Sequence, residues 1–125
     1  MAKKKFVKVI LRSTGEVLVE RARWCESRLC RLRGLQFHRR LRPGEGMLLV
    51  KAGDSTLAAS IHMFGVFFSI AAIWIDSQGC VTSTQLAKPW RPYYASPRPA
   101  RYILETTPAI LARVAVGDQI DFVPL

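Results

Sequence analysis

The chain has 125 residues, half of them hydrophobic, and a formal net charge of +10. That length can bury a core without metal or disulfide staples, and that hydrophobic content excludes disorder as a description of the whole. The charge is unevenly placed: residues 1–51 carry 14 Lys/Arg against 4 Asp/Glu, and residues 52–125 carry 5 of each. Such a front attracts polyanions or anionic surfaces, or serves only as a solubilising face.

Met1–Lys5 has the charge that opens a secretory leader, but Lys8 and Arg12 interrupt any apolar segment behind it. No secretion signal is read, and a cytoplasmic setting is expected. Phe6–Leu11 alternates, with Val7, Val9 and Leu11 inward; Ser13-Thr14-Gly15 is a turn, and Val17–Val19 restarts a strand. Glu26–Arg33 reads as a short helix with Leu29 and Leu32 three apart, Arg28 and Arg31 outward, and Gly34 as its stop. Cys25, Cys30 and Cys80 have no CxxC spacing. If Cys25 and Cys30 share a helix they lie on different faces, so reduced, buried cysteine in a reducing compartment is expected.

Pro43-Gly44-Glu45-Gly46 is turn chemistry, Met47–Val50 a short apolar strand, and Ala52-Gly53-Asp54-Ser55 a further turn. From Ser55 to Ile75 there are 21 residues without a formal charge, the length of a membrane helix. However, Ser55, Thr56, Ser60 and His62 are polar, and the dense apolar run is only Met63–Ile75. Phe64, Val66, Phe68, Ile70, Ala72 and Trp74 recur with period two, although Phe64, Phe67, Phe68 and Ala71 also fit helical spacing. Length arbitrates for a core strand, apolar on both faces from Ile70 onward, and against a membrane span.

Asp76-Ser77-Gln78-Gly79 is a hairpin turn and Cys80–Thr84 the returning strand. Leu86–Ala100 holds four prolines among Trp90, Tyr93, Tyr94 and basic residues, and reads as an extended loop. Arg101–Glu105 is a strand with Tyr102 and Leu104 on one side. Thr107-Pro108 opens a helix with Ile110, Leu111 and Val114 as its stripe and Gly117 as its end; Gln119–Val123 is the last strand, Ile120 and Phe122 inward. The sum is one mainly β domain over residues 1–125, a β-sandwich or barrel-like fold with one or two short helices.

Several segments also stand in a recognisable order: RGLQFHRRL (33–41), PGEGMLL (43–49), IHMFGVFFSIAAIWID (61–76), KPWR (88–91), ARYILE (100–105) and VGDQIDF (116–122). Together, over about residues 20–123, they resemble the domain of unknown function 192 family of small prokaryotic proteins. Ile61, His62, Phe64, Gly65, Phe68 and Ile70 keep the pattern of its closest-looking subgroup. Met63, Phe67, Ser69 and Ala71 stand where that subgroup has Thr, Arg, Pro and Asp, and His38 where the family often has Arg. The resemblance implies a β-sandwich-like fold with short helices and no activity. It also implies that a polar site on the central strand would be lost here.

No catalytic motif is present, and nine carboxylates spread singly nominate no acid/base pair, so the chain reads as a binding or structural module rather than an enzyme. No cofactor or metal is expected. His62, at the mouth of the central strand, is a candidate ligand-binding residue or a structural histidine; His38 and Trp90 are further candidates. Arg28, Arg31, Arg39, Arg40 and Arg42, with the Trp/Tyr/Arg loop at 90–98, make nucleic acid or another polyanion the alternative partner.

Overall fold

The computed structural model describes residues 4–36, 38, 40–55, 60–91, 94–96 and 98–125; Lys3, Arg39, Thr56, Tyr93, Pro92 and Pro97, used above, lie outside them. Among the described residues nine strands follow in chain order: β1 (Lys5–Leu11), β2 (Glu16–Cys25), β3 (Glu45–Ser55), β4 (Ser60–Ile61), β5 (Ile70–Ile75), β6 (Val81–Ala87), β7 (Tyr94–Ala95), β8 (Ala100–Thr106) and β9 (Ile120–Pro124). Helix α1 (Arg28–Arg33) lies between β2 and β3, and a 3-10 turn (Pro108–Ala112) between β8 and β9. Seven strands form one sheet in the order β6-β5-β8-β3-β2-β1-β9, and β4 pairs with β7 separately. The fold is mainly β, as expected.

β2 and β3 are the parallel pair of that sheet, and the connection carrying α1 provides the crossover such a pair needs. The two edge strands meet at one end. Cys80 bridges Gln119, Val81 N–H donates to Asp118 O at 2.9 Å, and Ile120 N–H donates to Gly79 O at 2.8 Å. The sheet therefore curls toward a barrel, which hides part of two otherwise open edges. Gly79 makes the approach possible: at φ +85°, a Cβ there would stand 2.8 Å from Ile120 O.

Curling gives the central strands two buried faces. Leu48, Val50, Ala71, Ile73, Ile75, Tyr102 and Leu104 pack inside with the valines of β1 and β2. Met47, Leu49, Ile70, Ala72, Trp74 and Ile103 face the other way, under a cover that includes Ile61, Met63, Val66, Leu35 and Tyr94. This is why all six residues of β5 are apolar and buried.

Several expectations need correction. Only the second half of the central run is a strand. Residues 62–69 form an irregular cover with a turn at Gly65 (φ +73°), and Phe64 and Phe67 stand exposed. Among the described residues no helix is long and apolar enough to cross a membrane. β2 runs six residues past Val19, because register shifts against β1 put both Leu18 and Val19 inside and break the alternation. Ala52–Ser55 continues β3 instead of turning, with Asp54 accepting bonds from Ser77 N–H and Oγ–H (2.9 and 2.7 Å). Within 86–100, β6 extends to Ala87 and Tyr94–Ala95 adds a short strand. The helix expected after Thr107 is a single 3-10 turn; Ile110 and Val114 are buried as expected, and Leu111 packs against the same core.

Helix α1 begins at Arg28, with Ser27 Oγ accepting from Cys30 N–H at 3.1 Å. Its leucines point outward, Leu29 66% and Leu32 63% exposed, whereas Arg31 turns inward. Cys25 and Cys30 are disulfide-bonded, with Cα atoms 5.6 Å apart. The expectation of reduced thiols failed because Cys25 ends a strand; the chain reverses through Glu26 and Ser27 before the helix brings Cys30 back. Such a bond persists in oxidising surroundings, so the cysteines no longer support a reducing compartment.

Candidate functional site

The face covered by α1 and residues 61–66 is where polar chemistry is buried. β3 presents Met47, Leu49 and Lys51 to it, and β8 presents Ile103 and Glu105, because alternate residues share a face. Lys51 is 9% and Glu105 3% exposed. Glu105 pairs across the sheet with Met47 on one side and Ala72 on the other, two apolar neighbours that offer it no donor.

Three buried side-chain atoms here, Lys51 Nζ, His62 Nδ1 and Glu105 Oε1, have no hydrogen-bond partner among the described residues. All three belong to the wall against α1. His62 Nε2 lies 2.8 Å from Leu32 O. A carbonyl can only accept, so Nε2 carries the proton, and in the neutral ring Nδ1 is left as an acceptor. Two residues on, Gly34 ends the helix at φ +49°, and a Cβ on it would stand 3.2 Å from Glu105 Oε1.

Arg31 reaches in from α1, and its Nη1 donates to Val50 O at 3.0 Å. Arg101 donates from Nε to Lys51 O at 2.9 Å. Burial pushes the Glu105 carboxyl up to about 7, with the Lys51 charge pulling the other way. Burial first, then the like charge of Arg31, lowers Lys51 to about 8, against the pull of Glu105. A carboxyl poised near neutrality can hydrogen-bond as donor or acceptor, and perturbed groups of this kind are candidates for function. Among the described residues no group of His, Cys, Asp and Glu is placed to hold a metal ion.

Of the residues singled out from sequence, His62 belongs to this group. Its ring stacks beside Phe64 with centroids 5.8 Å apart. Trp90 lies at the other end of the same cover: its backbone N–H donates to Met63 O at 3.0 Å, and its ring meets Phe67 with centroids 5.4 Å apart. His38 is elsewhere, in a cleft of about 430 Å³ lined also by Lys4, Arg23, Arg33, Ser27 and Gln36. Arg28 and Arg40 are exposed, Arg42 lies 3.9 Å from Glu45, and Arg31 is turned inward. The cleft itself collects a different set of cations, Lys4, Arg23 and Arg33.

Lys51 and Glu105 were not nominated from sequence. Each sits at the polar end of an apolar strand (MLLVK, YILE), where solvent is the usual neighbour. Their strands' alternation placed them on the Met47/Ile103 face. The sequence did not show that α1 and a non-strand segment would roof that face.

The fold has close counterparts. It superposes with a TM-score of 0.82 on a Sinorhizobium meliloti crystal structure provisionally named a transcription regulator, at 22% identity, covering 96% of this chain and 94% of that one. It superposes at 0.80 on a protein of unknown function from Novosphingobium aromaticivorans, at 21% identity over 93% and 83% of the two chains. Identity that low speaks for the fold alone. In sequence, a UPF0127 protein of Thermococcus sibiricus is 30% identical over 116 residues, 91% of this chain and 73% of that protein. A UPF0127 protein of Thermococcus kodakarensis is 29% identical over 118 residues, 93% and 73% of the two. The model of domain of unknown function 192, described as "Uncharacterized ACR", matches residues 9–122, beginning earlier than the segments above suggested, and the chain belongs to that family.

Proposed function

We infer that the protein is a binding module for a small polar ligand, held at Lys51, Glu105 and His62 beneath α1. The observation that carries this reading is the trio of buried, unpartnered polar atoms. Each costs about 1–3 kcal/mol when left unsatisfied, and a bound molecule is one way to meet that cost. A ligand offering an acceptor to the ammonium and donors to the imidazole nitrogen and the carboxylate would satisfy them together. The exposed Phe64, Phe67 and Trp90 on the neighbouring cover add apolar surface of the kind that lines ligand sites.

The test is capture of small molecules from cell extract, comparing the wild-type chain with Glu105→Gln and reading bound compounds by mass spectrometry after denaturation. Compounds enriched on the wild type and depleted on the variant support the reading. Identical profiles on two folded proteins contradict it.

A second reading, binding of nucleic acid or another polyanion, is favoured by the cleft that brings Lys4, Arg23, Arg33 and His38 together without a carboxylate in its lining. Oligonucleotide affinity would then fall with salt at a log–log slope of about −0.7 per neutralised phosphate. A flat salt response contradicts it.

A further inference from the structure

Two guanidiniums bond to two consecutive residues of β3, the second of which is Lys51. β2 ends at Cys25, paired with Leu49, and the β3–β8 register breaks after Val50/Tyr102 to resume only at Ser55/Ala100. The carbonyls of Val50 and Lys51 fall in that gap, and guanidiniums take the place of strand partners: Arg31 on the first at 3.0 Å, Arg101 on the second at 2.9 Å. Repair of the ladder accounts for both arginines. It does not account for Lys51, whose ammonium is buried with no acceptor among the described residues.

Glu105 attracts Lys51 by its charge without closing an ion pair among the described residues. None of Arg31, Lys51 and Arg101 takes part in an ion pair among the described residues. Glu105 shares the face, but its Oε1 is itself unpartnered and lies under Gly34. A buried charge is tolerated when a counter-charge and hydrogen bonds meet it, and each guanidinium still has N–H groups beyond the one spent on a carbonyl.

We propose that the site beneath α1 takes an oxyanion, the carboxylate or phosphate group of a small ligand, seated on Lys51 Nζ and flanked by Arg31 and Arg101. This rests on the small-ligand reading above and adds the ligand's charge class. An oxyanion offers the several lone pairs these donors require, and it compensates the lysine in a way a neutral ligand cannot. A cationic ligand would meet like charges.

The experiment is calorimetric titration of the full chain at fixed ionic strength with inorganic phosphate and, separately, with succinate. Saturable one-site binding of at least one probe is expected, weakened tenfold or more in Lys51→Met and unchanged in Lys88→Met, which removes an exposed cation. Phosphate alone, or succinate alone, assigns the class of anion. Should Lys51→Met not fold, Lys51→Arg, which keeps the charge, retains binding if the proposal holds, and saturating anion slows reductive methylation of Lys51 in the wild type. Heat from neither probe, or binding equal in wild type and Lys51→Met, overturns the oxyanion assignment. If Glu105-dependent capture of neutral compounds persists in that case, the small-ligand reading survives; if capture fails as well, both fall.

Discussion

Gly34 lies against Glu105: the position a Cβ would occupy on the glycine is 3.2 Å from the buried Oε1, and the backbone there has φ +49° and ψ −127°. A single residue thus ends helix α1 and roofs the carboxyl. Gly34→Ala is expected to lose roughly 1–3 kcal/mol from backbone strain and to displace the Glu105 side chain. Urea denaturation reads the first effect. Comparison with Gly34→Ala/Glu105→Ala reads the second, because the cost shrinks once the carboxyl is gone. Equal costs in both backgrounds would assign everything to the backbone.

Stability should fall as pH rises between about 4.5 and 7. The folded Glu105 carboxyl has its pKa raised from an ordinary 4.5 to about 7, so in that window the native state holds a proton that the unfolded state releases. At 1.36 kcal/mol per unit, the full loss is on the order of 3 kcal/mol. Lys51 acts in a different window: its pKa is lowered to about 8, so stability recovers as pH rises from there toward 10.5. Denaturant midpoints across pH 4–10 should therefore pass through a minimum near 7–8. Glu105→Gln removes the descending limb and Lys51→Met the ascending one. A monotonic profile in the wild type would contradict both assignments.

The Cys25–Cys30 disulfide ties the end of β2 to α1, which carries both Leu32, the partner of His62, and the Gly34 cap. A loop this short implies a modest entropic contribution, about 2 kcal/mol. Reduction, studied in a Cys80→Ala background, is expected to lower stability by that amount and to speed amide exchange first in α1. Uniform acceleration across the sheet would contradict a local role.

Leu29 and Leu104 test the inside-out assignment of the apolar residues. Leu104 is 1% exposed in the inner core, so Leu104→Ala should cost about 2–5 kcal/mol, whereas Leu29, 66% exposed, should tolerate alanine within about 0.5 kcal/mol. Similar costs at the two positions would place α1 wrongly.

Strands whose alternation is unbroken were legible in the sequence. Val7/Val9/Leu11, Tyr102/Leu104 and Ile120 point where period two puts them, and the turns at Gly15 and Asp76–Gly79 fall at their polar signals. Where a bulge shifts the phase, as at Leu18/Val19, the pattern stopped being readable although the strand continued. The apolar run at 61–69 misled for another reason: residues that roof a sheet are as hydrophobic as those within it, and only the positive φ at Gly65 and the bonds from Met63 to the 90–91 loop separate the two. The candidate site was half visible. His62 stood out as one of two histidines, whereas Lys51 and Glu105 became notable only once tertiary packing had covered their face of β3 and β8.

The most direct test of the account is a side-chain ¹³C NMR titration of Glu105 in the folded protein, assigned by comparison with Glu105→Gln. A carboxyl buried beneath Gly34, with its Oε1 unpartnered, is expected to titrate near 7, and addition of a bound oxyanion is expected to move its resonance. A midpoint in the ordinary carboxylate range near 4.5, indifferent to any anion, would mean that water or another residue already satisfies the group, and the site proposed here would not exist.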